Sequence, residues 1–404
     1  MATHDLKAQL ESLVRHAEHV VSKAELAERL GEGRPLRVKL GVDPTAADVT
    51  LGWAVPLRKL RQFQDAGHTA VLIVGDFTAR IGDPSDRNAT RPQLPAEAVR
   101  AHADAVLGQF KDILSQDNLE VRYNSEWHDK MDLPEVLRLT SHYTVARMLE
   151  RDDFAKRWAA RQPISMVEFM YPLLQGYDSV AVEADVELGG TDQLFNLLVG
   201  RDLQRAYGQR PQIALTMPLI VGTDGVRKMS QSFGNYVAIR DAPEEMFGKL
   251  MRVPDQAIGQ YAALTTDMSD DDIAAAESAA ARGGPGAAES KRRVARAVVR
   301  LYHGDDAAQE AEAAFDRVFK DRKAPQEIPT AVIPASAIDG EVAYLPRILV
   351  EVGLASSGSE ARRLIEGRGV RVNGEPATSE EVPAADLRGA VLQVGKRRFV
   401  RLID

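Results

Sequence analysis

At 404 residues the chain exceeds what one hydrophobic core usually serves, so two or three domains are expected. Its 44% hydrophobic and 27% charged residues are ordinary for a globular protein, and the absence of cysteine excludes disulfides, thiolate metal sites and cysteine nucleophiles. A net charge of −8 excludes nucleic-acid binding by the whole surface and leaves RNA contact to local basic patches.

The opening MATHDLKAQLESLV lacks the apolar core of a signal peptide, and no uncharged apolar run is long enough to span a bilayer; a cytoplasmic, membrane-free protein is expected. Residues 1–240 alternate strand-like and helix-like runs, the pattern of a parallel sheet flanked by helices. Strands are expected at 37–41, 70–74, 182–188 and 213–221, with a helix over 52–66 leading from the first strand towards the second. Gly41-Val42-Asp43-Pro44-Thr45 ends that first strand and Thr50-Leu51-Gly52-Trp53 opens the helix. Such a corner, with unpaired N–H groups and the positive end of a helix dipole, suits a phosphate. Gly52 would let a nucleotide lie close to the backbone, although a plain turn explains the same residues equally well. A second loop, 221–230, carries Arg227 and Lys228 among glycines and has the make-up of a lid closing over a triphosphate. Between them, Asp83-Pro84-Ser85-Asp86-Arg87 and Arg91 add two cations.

Within Met170-Tyr171-Pro172-Leu173-Leu174-Gln175-Gly176-Tyr177-Asp178, a helix places Tyr171, Gln175 and Asp178 at i, i+4 and i+7, on one face. Polar groups in so apolar a segment are costly to bury unpaired, so they serve either an internal polar network or a small polar ligand. His68, His102, His128 and His142 have no metal-ligand spacing, and no structural metal is expected.

From Pro243 the chain becomes alanine-rich and helical. Val294, Ala297, Val298 and Leu301 mark one buried helix face, and Arg292, Arg296 and Arg300 form a stripe that is either solvated or an RNA contact. Pro325, Pro329 and Pro334 mark a linker. In the tail, Ser357-Gly358-Ser359-Glu360 opens a helix with Ala361, Leu364 and Ile365 inward. Strands follow at 370–372, 391–394 and 399–402, with a hairpin turn at Asn373-Gly374.

Five collinear motifs carry a resemblance: Asp43-Pro44-Thr45, Leu51-Gly52-Trp53, Ile81-Gly82-Asp83-Pro84-Ser85, Gly189-Gly190-Thr191-Asp192-Gln193 and Lys228-Met229-Ser230-Gln231-Ser232. Their order and spacing resemble those of bacterial tyrosyl-tRNA synthetases of class I, and Ser359-Glu360-Ala361-Arg362-Arg363-Leu364 with Val372-Asn373-Gly374 resembles an S4 RNA-binding module. The resemblance implies an α/β chain with a Rossmann-like catalytic domain at 1–240, an insertion at about 107–158 in the interface of a homodimer, an α-helical anticodon-side domain and linker at 241–335, and a small α+β S4 domain at 336–404.

It further implies ligation of L-tyrosine to tRNA(Tyr) through an adenylate, with ATP as substrate accompanied by Mg2+. By that resemblance Asp178 takes the phenol, Tyr171, Gln175 and Asp83 hold the α-ammonium, and Gln193 lies by the carboxylate. Asn124 and Trp127 flank the pocket, and Lys39 stands where the family commonly places a second phenol hydroxyl. Asp43, Gly52, Trp53, Gly190, Asp192, Lys228, Met229 and Gln231 would hold ATP, and Thr45, Thr50, Arg87, Arg91, Lys228 and Ser230 would stabilise phosphate charge. Arg362, Arg363, Arg368, Arg371, Lys396, Arg397 and Arg398 would meet RNA. Two departures stand out. The family's His-x-Gly-His reads Thr50-Leu51-Gly52-Trp53, and the second lysine of the signature loop is Gln231. The alternative reading is a synthetase-like paralogue that binds tyrosine or RNA without efficient activation.

Overall fold

The computed structural model describes residues 3–85, 95–319, 328–395 and 398–403. They form two compact units, Met1–Tyr302 and His303–Asp404.

The first unit is built on a six-stranded sheet of β1 (His19–Val21), β2 (Arg37–Val42), β3 (Thr69–Val74), β4 (Leu119–Tyr123), β5 (Val186–Gly190) and β6 (Ile213–Met217). The spatial order is β1-β6-β5-β2-β3-β4, parallel throughout except that β1 runs against β6. β3 reads TAVLIV, aliphatic and buried continuously from Ala70 to Val74, as a strand covered on both faces must be. The order reverses at β2, whose next strand in sequence, β3, lies on one side and whose other neighbour is β5. A crevice opens outside the carboxyl ends of strands at such a switch point.

All four expected strands appear, the first two within one residue of the expected ends and the last two shifted for local reasons. Residues 182–185 belong to a helix exit, because the Val182 N–H still bonds Asp178 O and Glu183 takes φ 50°. β6 stops at Met217 because Pro218 brings no N–H to the ladder. The edge strands β1 and β4 escaped the sequence reading, since both are short, mixed in polarity and only half-buried.

Two helices place the chemistry. Leu51–Asp65 starts at Thr50, whose hydroxyl accepts the Trp53 N–H, and buries Leu51, Val55, Leu57, Leu60 and Phe63. Met166–Ala181 lies on Leu194–Ala206, and Gly176 makes that approach possible: a Cβ there would sit 2.8 Å from Leu203 Cδ1 and 3.1 Å from Gly200 N. Beyond Pro243, helices Pro243–Leu250, Ile258–Thr265, Asp270–Arg282 and Gly284–His303 complete the unit. In the last, Val294, Ala295, Val298 and Val299 are buried while Ala297 and Leu301 are half-buried, so the inward face is rotated slightly from the expected one.

In the second unit, after the helix Asp305–Phe319, a five-stranded sheet runs in the order Glu375–Pro376, Val370–Val372, Val391–Val394, Arg398–Ile403, Thr330–Val332. Helices Leu345–Glu351 and Gly358–Glu366 pack Leu345, Ile348, Leu349, Ala361 and Ile365 with Val370, Leu392 and Leu402. The hairpin turns at Asn373 (φ 51°) and Gly374 (φ 88°), two left-handed residues as a tight primed turn requires. Among the described residues, no helix is long and apolar enough to cross a membrane.

Candidate active site

A cavity of about 680 Å³ opens at the carboxyl ends of β2 and β5. It is lined from the nucleotide-like corner by Asp43, Thr45, Thr50, Gly52 and Trp53, and from the polar helix stripe by Tyr171, Gln175 and Asp178. Asp83, Gly190, Asp192 and Gln193 line its middle, and Lys228, Met229, Ser230 and Gln231 close one side. The helix stripe and the lysine-bearing loop therefore share one chamber. Arg87, Arg91, Lys396 and Arg397 lie outside the described residues.

At the corner, Asp43 leaves the end of β2 and is held on both oxygens. Thr78 Oγ1 donates to Oδ1 at 2.8 Å and the Tyr171 hydroxyl donates to Oδ2 at 2.9 Å. Gly75 allows this approach, because a Cβ there would lie 2.0 Å from Asp43 Oδ1. Burial, reinforced by Asp43, raises the Tyr171 phenol well above its ordinary range, so this hydroxyl stays a donor at any physiological pH.

The signature loop is cross-braced. Val221 bridges Lys228, Asp224 accepts the N–H groups of Val226 (3.1 Å) and Arg227 (3.2 Å), and Asn235 Oδ1 accepts the Ser230 N–H at 2.9 Å. These backbone N–H bonds hold the Asp224 carboxyl below its usual range. Gln231 Nε2 donates to Asp48 O, which ties the loop to the segment before helix Leu51–Asp65. Lys228 Nζ lies 3.0 Å from Asp192 Oδ2. Trp53 leans on Phe110 with ring centroids 6.4 Å apart, giving this corner an aromatic wall in place of an imidazole.

In the middle of the chamber, Gln193 Nε2 donates to Asp83 Oδ2 at 2.9 Å, and Asn196 Nδ2 donates to Gln175 Oε1 and Gln193 Oε1, each at 3.0 Å. One buried asparagine thus orients both glutamine amides. Arg151 steadies it, donating to Asn196 Oδ1 (3.3 Å) and Ser85 Oγ (2.6 Å). At the far end, Asp178 is buried and accepts from Trp127 Nε1 (2.9 Å), His128 Nε2 (2.8 Å) and Asn124 Nδ2 (3.3 Å).

Two expectations are corrected by this geometry. Lys39 does not line the chamber. Its ammonium is fully buried, 2.9 Å from Glu187 Oε1, 2.8 Å from Ser179 Oγ and 2.9 Å from Gln175 O. Once removed from water that charge needs a carboxylate, and Glu187 on the neighbouring strand supplies it. Asn124 likewise stands behind the wall, bonding Thr78 Oγ1 (3.0 Å) and Asp178, and reaches the chamber only through them. The sequence reading missed Thr78, Arg151 and Asn196 and treated His128 only as a failed metal ligand. No spacing joins them to the site: they arrive from separate elements.

On the second unit, Arg362, Arg363, Arg368, Arg371 and Arg398 are all exposed. Arg398 and Arg363 both lower the Glu360 carboxyl, after its bonds from Ser356, so the strand and helix contribute to one basic surface.

Residues 31–320 match the family described as tRNA synthetases class I (W and Y), and residues 345–385 match the S4 domain. The tyrosine–tRNA ligase of Carboxydothermus hydrogenoformans is 47% identical, with 100% of this chain and 99% of the relative aligned. That of Thermotoga maritima is 49% identical over 98% of this chain and 97% of the relative. In fold, the chain is similar to a C-terminally truncated mitochondrial tyrosyl-tRNA synthetase of Aspergillus nidulans, with TM-score 0.62 and 23% identity over 78% of this chain and 94% of that one. It is similar too to the Archaeoglobus fulgidus tyrosyl-tRNA synthetase complexed with L-tyrosine, with TM-score 0.61 and 22% identity over 76% and 99%. With a class I match across most of its length and near-complete alignment to such relatives, the chain belongs to the tyrosine–tRNA ligase family of class I synthetases, with an S4 domain in its tail.

Proposed function

We propose that this protein ligates L-tyrosine to tRNA(Tyr) through a tyrosyl-adenylate, using ATP with its magnesium as substrate. One observation carries the reading: the stripe Tyr171, Gln175 and Asp178 and the Lys228 loop line the same chamber. A buried carboxylate at one end suits a phenol, amide and carboxylate groups in the middle suit an α-amino acid, and the helix terminus beyond suits phosphates.

Adenylate formation needs no protein nucleophile. The tyrosine carboxylate attacks the α-phosphate, pyrophosphate leaves, and the terminal ribose hydroxyl of the tRNA then displaces AMP. Catalysis is positioning plus electrostatic stabilisation. Asp178 receives the phenol, Gln175, Asp83 and Gln193 receive the amino-acid backbone groups, and Asp192, Gly190 and Gly52 accommodate the nucleotide. Lys228, with Thr45, Thr50 and Ser230, attends the phosphates. Exposed arginines of the second unit take the tRNA, and the protein works in the cytoplasm.

The subunit pairs with a second copy. Support comes from the apolar side chains that residues 133–167 leave in solvent, among them Leu137, Val145, Trp158 (66% exposed) and Met166 (73% exposed). Amino-acid-dependent ATP–pyrophosphate exchange across the twenty amino acids tests the activity: tyrosine alone should support it, followed by transfer to tRNA. Exchange with phenylalanine as strong as with tyrosine would reject the role of Asp178. Saturable tyrosine binding without exchange would favour the binding-protein alternative.

A further inference from the structure

A carboxylate has room for about four hydrogen bonds, two on each oxygen. Oδ1 of Asp178 already receives two donors, Trp127 Nε1 at 2.9 Å and His128 Nε2 at 2.8 Å. Oδ2 receives one, Asn124 Nδ2 at 3.3 Å. None of the three donors lines the chamber, whereas Asp178 does. Among the described residues, the single open acceptor position is therefore on Oδ2.

Of those donors, His128 is the one whose role is conditional. Nε2 lies 2.8 Å from Asp178 Oδ1 and 3.2 Å from Trp127 Nε1, and the shorter contact, to a carboxylate, assigns the proton to Nε2. Nδ1 is buried with no partner among the described residues, which a bare acceptor tolerates better than an N–H. The ring is wholly enclosed, with centroids 5.1 Å from Phe77 and 6.0 Å from both Trp127 and Tyr177, so it has no other orientation to relax into. Lys39, buried in the same core, spends its three ammonium hydrogens on Glu187, Ser179 and Gln175.

We propose that His128 is a positioning residue for substrate selection: by filling Oδ1 it leaves Asp178 one open acceptor, so the site takes amino acids whose para group donates a hydrogen bond. The inference rests on the reading of Asp178 as the phenol acceptor. It extends the substrate class from tyrosine to 4-aminophenylalanine, whose amine also donates, and excludes phenylalanine and 4-methoxyphenylalanine, which cannot.

The test is equilibrium dialysis of these four amino acids with the full-length wild type, His128→Phe and His128→Gln, alongside the KM for ATP in pyrophosphate exchange. His128→Phe keeps a ring and deletes the N–H that holds the carboxylate; a misplaced Oδ2 should lose up to the worth of the phenol's own hydrogen bond, weakening tyrosine by about 10- to 100-fold while leaving phenylalanine affinity and the KM for ATP unchanged. His128→Gln restores a donor and should recover part of the loss. Wild type should bind 4-aminophenylalanine well above phenylalanine. An unchanged tyrosine-to-phenylalanine ratio in His128→Phe, an equal loss for both ligands, or rejection of 4-aminophenylalanine by the wild type overturns the proposal alone. Failure of the wild type to bind tyrosine overturns the proposed function with it.

Discussion

Gly52 separates what the protein needs from what its ligand needs. A Cβ built there would meet Thr50 Oγ1 at 3.5 Å and Met229 Cβ at 3.6 Å, ordinary contacts, and alanine is the better helix former by about 1 kcal/mol. Gly52→Ala should therefore leave the melting temperature unchanged or raised. The KM for ATP should rise about tenfold or more if a nucleotide lies against this backbone. A lowered melting temperature with unaltered KM would assign the glycine to folding instead. The neighbouring departures are equally testable. Thr50 caps its helix, Trp53 leans on Phe110 and Gln231 is tied to Asp48 O, so each replacement has a structural use without bringing positive charge. Restoring Thr50→His, Trp53→His and Gln231→Lys together should raise pyrophosphate exchange, by on the order of 10²-fold for each donor regained. Exchange that stays level would mean that other groups already carry the phosphate charge.

Helix Leu51–Asp65 exports an electrostatic cost to its buried face. Lys59 sits almost wholly inside, its Nζ 2.8 Å from Arg15 O and 2.7 Å from Gln62 Oε1. Burial, and then Arg15, brings its pKa down from 10.5 to about 8. Between those two values the unfolded chain holds a proton that the folded chain has released, so stability rises with pH across that window. Against Lys59→Met, which has no such proton, the wild type should gain on the order of 2–3 kcal/mol from pH 8 to 10.5 in urea unfolding. A constant difference between the two proteins would remove this account. The same helix shows how far pattern reading reaches: its opening at Thr50-Leu51-Gly52-Trp53, its extent to Ala66 within a residue and its place after the first strand were legible in the sequence. Strand β4 was not: LEVRY alternates apolar and polar residues, but over only five positions at a half-exposed sheet edge that pattern is too short to stand out.

For the molecule as a whole, the apolar side chains exposed between residues 133 and 167 predict an obligate pair. Trp158→Asp should yield a monomer in sedimentation velocity while helix content stays as in the wild type. A dimer that survives this change would move the interface elsewhere. The basic surface of the second unit makes a separate prediction. Reversing Arg362 and Arg363 to Glu should weaken tRNA binding and flatten its salt dependence, leaving tyrosine-dependent pyrophosphate exchange untouched. Loss of exchange in that variant would contradict a purely RNA-binding role.

Local chemistry was sufficient for much of this protein. A helix periodicity placed Tyr171, Gln175 and Asp178 on one face, strand-then-glycine patterns located β2 and β3, and Asn373-Gly374 announced its hairpin, because each depends only on neighbours in the chain. What surrounds Asp178 was decided by packing alone. His128 and Trp127 come from a short helix some fifty residues away, Asn196 reaches two glutamines from a third helix, and the same packing turned Lys39 inward to Glu187. A buried charge takes whichever partner the fold brings within reach, and that choice exists only once distant strands and helices have closed around it.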